Sequence, residues 1–418
     1  MELFNVVAIL MTLSALFGYV NHRFIKLPTT IGLMLISILM SLGMVVLGHL
    51  GHAGLHVEAR WLNLISGINF NKTLMVGMLG FLLFAGSLHV DLHELRKQKW
   101  EIGIFSTIGV ILSTVFVGIL SYYVFHLLGL EIRFIYCLLF GALISPTDPI
   151  AVLGIMREAG APKSLEIRLT GESLFNDGIG VVVFVTVLEM ASSGRVIPFG
   201  EMTVLFLEEA AGGIALGLIL GWAAYLLLKS IDNYQVEVLI TLALVMGGYA
   251  LASFLHTSGP IAMVVSGLLI GNRGREFAMS EKTRHNLDTF WELTDEILNS
   301  LLFVLIGIEL LVITLSGRYL AAGAMAVPVA LFSRFVSVGI PLFFLNVRNA
   351  FPFGSLKVMT WGGLRGGISV ALALSLPQGP ERDVIITMTY TVVVFSILAQ
   401  GLTIKHLIKR QPARKTSS

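Results

Sequence analysis

Ser145-Pro146-Thr147-Asp148-Pro149 and Gly171-Glu172-Ser173-Leu174-Phe175-Asn176-Asp177-Gly178 decide how this chain is read. Each lies inside or at the edge of a long apolar run. The two prolines of the first stretch each remove a backbone donor and clash with the preceding turn, so a helix must unwind here. At membrane depth, irregular backbone survives only where protein buries it or where it lines a wet cavity. Asp148 sits between those prolines. In the second stretch Ser173 and Asp177 are four positions apart and share a helical face, with Glu172 and Asn176 on the neighbouring stripe. A carboxylate beside freed carbonyls and a hydroxyl makes an oxygen-rich pocket suited to a hard cation.

The surrounding chain is that of an integral membrane protein. Its 418 residues are 56% hydrophobic and 13% charged, against about 25% charged in an ordinary soluble domain. A single cysteine, Cys137, excludes an internal disulfide and reads as a small core residue. The first apolar run starts at Leu3 with no basic region ahead of it, so it is expected to be a retained span. No Walker-type phosphate loop is present, which argues against ATP drive. Neither a cofactor nor a nucleic-acid partner is expected, and the whole chain reads as one membrane domain.

Apolar runs of spanning length fall near 3–20, 28–47, 71–90, 101–126, 132–156, 165–190, 202–228, 235–256, 258–271, 286–314, 319–345, 355–376 and 384–407. With the N-terminus outside, thirteen alternating spans put twenty lysines and arginines on the cytoplasmic side and six on the other. That asymmetry fits the positive-inside rule and predicts a cytoplasmic C-terminus. Lys405, Lys409, Arg410, Arg414 and Lys415 would anchor that end at the membrane surface.

Two basic residues, Arg334 and Arg365, fall within spans, where an unpaired charge is costly. Arg365 lies in Trp361-Gly362-Gly363-Leu364-Arg365-Gly366-Gly367, and so many glycines weaken a helix. Span 12 is therefore a second interrupted helix, seven spans after span 5. An odd offset gives halves of opposite orientation. This is the pattern of an inverted repeat whose broken helices cross at a midplane site.

Asp177 is the first candidate for the transport chemistry. A carboxylate removed from water holds its proton more tightly. Protons and cations then compete for the same oxygens, which is sufficient to couple their exchange. Thr147 can offer a carbonyl and a hydroxyl. Asp148 can ligate the ion, neutralise the positive end of a half-helix or cap it. Glu172 and Arg334 are expected to pair and to lock span 6 to span 11. Asn176 can hydrogen-bond Asp177 or a bound water but cannot carry a proton. One titrating acid suggests one proton per cation, hence electroneutral exchange. Asp288, Glu292, Asp295 and Glu296 form an acidic stripe on span 10; it could draw cations inward, but a solvated helix extension is the preferred reading. His49, His52 and His56 could hold a metal, though loop histidines are common.

At these residues the chain resembles the monovalent cation:proton antiporter-1 family, which includes the bacterial and archaeal NhaP exchangers. The resemblance rests on Pro146-Thr147-Asp148-Pro149 and the Gly171–Gly178 stretch. It extends to Leu27-Pro28-Thr29-Thr30-Ile31-Gly32, Leu301-Leu302-Phe303-Val304-Leu305-Ile306-Gly307, Arg334 with Val336, and Gly362-Gly363-Leu364-Arg365-Gly366. It implies an all-α protein of about thirteen transmembrane helices with the NhaA/NhaP-like inverted repeat and crossing broken helices. A transport part would cover about 101–190 and 319–407, a dimerisation part about 1–90 and 202–271, and a linking helix about 286–314. The implied activity is exchange of sodium, or lithium, for protons by a homodimer in the lipid of a prokaryotic inner membrane. The implied ion site is Asp177, Asp148, Ser173 and Thr147, and the asparagine-aspartate pair Asn176-Asp177 marks the electroneutral branch. A potassium/proton antiporter using the same site is the alternative. A gated cation channel and an intramembrane aspartyl protease are weaker ones. One departure stands out: many relatives carry an acidic residue after the Leu-Leu-Phe of span 3, where this chain has Ala85.

Overall fold

The computed structural model describes residues 3–49, 78–148, 153, 156, 163–193, 199–309, 316–346 and 354–409. All regular structure among them is helical. The helices are α1 (Leu3–Val20), α2 (Thr29–His49), α3 (Leu79–Leu88), α4 (Lys99–Leu127), α5 (Phe134–Ile144), α6 (Lys163–Ser193) and α7 (Phe199–Lys229). They continue with α8 (Tyr234–Phe254), α9 (Gly259–Leu269), α10 (Glu281–Glu309), α11 (Gly317–Asn346), α12a (Ser355–Trp361), α12b (Gly367–Leu374) and α13 (Pro380–Phe395). A π-helical turn at Ser396–Gln400 extends α13 into Gly401–Lys409. Each predicted span meets one of these elements. Among the described residues, six helices are individually long and apolar enough to cross a membrane: α4, α6, α7, α8, α11 and α13 with its extension.

Local chemistry explains where the helices begin and turn. Asn233 caps α8 by accepting from the amides of Gln235 and Val236, and Ser258 with Pro260 opens α9. Both satisfy first-turn groups that a helix leaves bare. Between α1 and α2 the chain bends by 107°. Asn21 holds that bend, donating to the Leu27 carbonyl at 2.8 Å and accepting from the Leu27 amide at 3.2 Å. Gly32 leaves room for the Asn21 amide, which a Cβ there would strike. The Leu27–Gly32 motif thus builds a turn.

The helices pack as two groups. In one, α4, α5, α6, α11 and α13 pack against each other, with α12b between α5 and α13. In the other, α3, α7, α8 and α9 pack together. The long α10 lies against α1, α2, α3 and α8 and also touches α12b. Its seat is aromatic: the buried Trp291 ring stands 4.7 Å from that of Phe84 on α3, and its Nε1 donates to Thr241 Oγ1 on α8 at 3.1 Å.

Two expectations change, and others lie outside the described residues. The helix expected to act as a link begins at Glu281 rather than 286. Arg168, counted among the twenty basic residues assigned to the cytoplasmic side, is buried in the first turns of α6, with Glu101 as its charged neighbour. The second half of span 5 falls mostly outside the described residues, as do His52 and His56.

Candidate functional site

The proline and glycine breaks meet. α5 ends at Ile144, and residues 146–148 are not helical. The Asp148 amide donates to the Leu364 carbonyl at 2.8 Å, joining one break to the other. Arg365 Nη1 donates to the carbonyls of Ser145 at 2.5 Å and Pro146 at 2.9 Å. A half-helix presents bare carbonyls and negative partial charge at its C-terminus, and charge-assisted donors there satisfy both. The Arg365 amide in turn donates to Ser396 Oγ at 3.0 Å, presented by the π-helical turn of α13. Asp148 lies at the other polarity. Its side chain packs against Gly366, the residue capping α12b, and a Cβ on Gly366 would lie 2.7 Å from the Asp148 Cβ. A carboxylate there faces the positive end of a half-helix.

α6 runs past the breaks. Ser173 Oγ donates to the Thr147 carbonyl. Asn176 grips the same residue twice: Oδ1 accepts from the Thr147 amide at 3.2 Å and Nδ2 donates to Thr147 Oγ1 at 2.8 Å. This corrects the expected partner of Asn176. It does not turn to Asp177; it replaces the donor and acceptor that the unwound Thr147 lost, because its stripe of α6 faces the break.

Glu172, 1% exposed, accepts from Arg334 Nη1 at 2.5 Å. Arg334 also donates to the Met359 carbonyl, with Nε at 3.4 Å and Nη2 at 3.3 Å. The ion pair therefore joins α12a as well as α6 and α11.

Asp177 stands in another environment. No group among the described residues hydrogen-bonds its carboxylate, and its charged neighbour is Asp148. It borders a cavity of about 480 Å³ together with Thr147, Asp148 and Ser173. Asn176, Glu172, Arg334 and Arg365 do not line this cavity. Ala85 does. An unpaired carboxylate at the edge of such a cavity, with hydroxyl and carbonyl oxygens nearby, can accept a proton or a monovalent cation.

The acidic stripe of span 10, for which the sequence favours a solvated extension over a role in drawing cations inward, reaches this cavity. Glu292, Asp295 and Asn299 of α10 border the same cavity; Glu292 is exposed, Asp295 half-buried and Asn299 buried. Asp288, farther out, pairs with Arg275. The signal available was the i, i+3, i+7 spacing from Glu292 to Asn299, which puts all three on one stripe. Gly366 was also missed as a packing requirement for Asp148.

Comparison with known proteins agrees with this architecture. The family model described as "Sodium/hydrogen exchanger, transmembrane" matches residues 11–410. The Na(+)/H(+) antiporter NhaP of Pseudomonas aeruginosa is 51% identical, with 99% of each chain covered. The Na(+)/H(+) antiporter NhaH of Halobacillus dabanensis is 36% identical over 82% of this chain and 83% of its own. In fold, the chain is similar to the sodium proton antiporter MjNhaP1 of Methanocaldococcus jannaschii, with a TM-score of 0.75 at 19% identity, covering 98% of this chain and 99% of that one. Two interrupted helices meeting beside an intramembrane aspartate, and a match along nearly the whole sequence, lead to one conclusion: this chain belongs to the sodium/hydrogen exchanger family.

Proposed function

We propose that this chain exchanges sodium for protons across the membrane, Asp177 holding the cation and the proton in turn. It is a transporter rather than an enzyme. The observation that carries the reading is the Asp177 carboxylate, without a hydrogen-bond partner among the described residues and bordering a cavity, while Glu172 on the same helix is neutralised by Arg334. A site with one free acid cycles between proton and cation without needing a second charge, which favours electroneutral one-for-one exchange. Ser173, Thr147 and Asp148 complete the cation's oxygen shell. Asn176 holds Thr147 in place for that role, and Arg365 keeps the broken α5 in register. Sodium is preferred to potassium because the relatives reported above are named for sodium.

The packing into two groups of helices supports alternating access. The group containing α4–α6 and α11–α13, about 101–190 and 319–407, moves against the group containing α1–α3 and α7–α9, about 1–90 and 202–271, with α10 as the link. The second group joins two copies into a homodimer. The N-terminus lies outside and the C-terminus in the cytoplasm of a bacterial inner membrane, where the exchange serves pH homeostasis.

The test is sodium-induced pH change in proteoliposomes at two clamped voltages. Sodium should move protons at the same rate at both, and potassium should do so weakly. Proton movement that tracks voltage would overturn electroneutrality. Movement with potassium alone would reassign the ion.

A further inference from the structure

The cavity has two acidic walls, and only one is explained by the exchange chemistry. On the α10 wall, Asp295 and Asn299 are one helical turn apart and both border the cavity, with Glu292 one turn nearer the end that carries His89. Asn299 is 3% exposed. Its Nδ2 donates to the Asp295 carbonyl at 2.9 Å, which identifies the other amide atom as Oδ1. That oxygen is buried and accepts no hydrogen bond among the described residues. A buried acceptor without a donor is costly, and a cation satisfies it as well as a donor does. Asp148 and Glu292 border the same cavity as Asp295, so carboxylates gather there as a cation site requires.

Rotation of α10 makes this wall permanent. Trp291 is buried against Phe84 and bonded to Thr241, and that fixes which stripe of the helix meets the cavity. Arg275 ties Asp288 to His89, spending the outermost carboxylate of the stripe on a link between α10 and the end of α3. The carboxylates farther in are left for the cavity. Across from them, α3 offers Ala85, which has no oxygen to give.

We infer that the Asp295 carboxylate and Asn299 Oδ1 form an outer site for a monovalent cation, which holds the ion on its way to Asp177. The inference rests on the exchange reading for the ion's onward path but not for the binding itself. The outer site concentrates cations at the wall and returns part of their lost hydration before Asp177 takes over.

Two measurements decide it, both on the full-length chain. The first is equilibrium binding of radioactive sodium to the Asp177→Asn protein in nanodiscs. The outer site should retain weak binding there, and adding Asp295→Asn or Asn299→Leu should remove it. No binding by Asp177→Asn alone, or binding that persists after Asp295→Asn, overturns the inference. The second is transport by Asp295→Asn in proteoliposomes. Half-saturating sodium should rise on the order of tenfold, with a much smaller change in the rate at saturation. An unchanged half-saturation, or a lowered maximal rate at unchanged half-saturation, also overturns it. Asp295→Glu should bring half-saturation back toward the parent value, which a merely misfolded Asp295→Asn would not explain. If the parent protein moves no protons with sodium, the exchange reading fails, and the binding measurement still decides the outer site.

Discussion

Glu172 and Asp177 lie on the same helix, a turn and a half apart, and meet opposite surroundings. Glu172 faces α11 and α12a, is nearly inaccessible and is held by Arg334. Asp177 faces a cavity and is held by nothing among the described residues. A buried carboxylate that has found a guanidinium contributes rigidity, because separating the two charges is costly. One left in a wet pocket without a partner retains its capacity for proton or cation. Identical chemistry on one helix thus serves two purposes, and the partner decides which.

The largest effect should come from removing the free acid. Asp177→Asn should lower sodium-dependent proton flux by at least about 100-fold while the thermal unfolding midpoint stays near the parent value. Normal flux in that variant would break the comparison outright. Next is Arg334→Leu, which should leave Glu172 charged, buried and alone, at a cost of about 3–5 kcal/mol. Thermal unfolding in detergent would show it, and Glu172→Gln added to Arg334→Leu should recover part of the loss. If Arg334→Leu unfolds like the parent, the pair does not brace the fold.

Gly366→Ala comes third. Its Cβ would overlap the Asp148 side chain, so the carboxylate must shift from the start of α12b. Transport should fall on the order of tenfold, with little change in unfolding temperature. The smallest effect should be that of Asn176→Ala, which takes two hydrogen bonds from Thr147. Half-saturating sodium should rise about fivefold, about 1 kcal/mol. A change in the voltage dependence of that variant, with half-saturation unchanged, would instead place Asn176 among the titrating machinery.

Both helix breaks could be read directly from the chain. Proline cannot donate at 146 or 149, and the glycines around Arg365 weaken any helix that carries them. These are covalent properties that no neighbour can alter. The intramembrane cost of charge likewise singled out Glu172, Asp177, Arg334 and Arg365 before any contact was known. The partners were less legible. Asn176 was expected beside Asp177, its neighbour in sequence, yet adjacent helical positions point about 100° apart, and it met Thr147 instead. Arg168 reads as a loop charge because it begins a helix, and only packing buries it.

By itself, then, the sequence determined the membrane class, the positions of the two breaks and the acids and bases that must be paired or used. Those follow from backbone chemistry and from the energy of charge in an apolar medium. Only the tertiary structure decided that Asn176 turns to Thr147 and that α10 brings Asp295 and Asn299 to the border of the cavity. A helical stripe defines which residues share a face. What that face meets depends on the rotation of the helix, and for α10 that is set by Trp291 seated on α3 and α8.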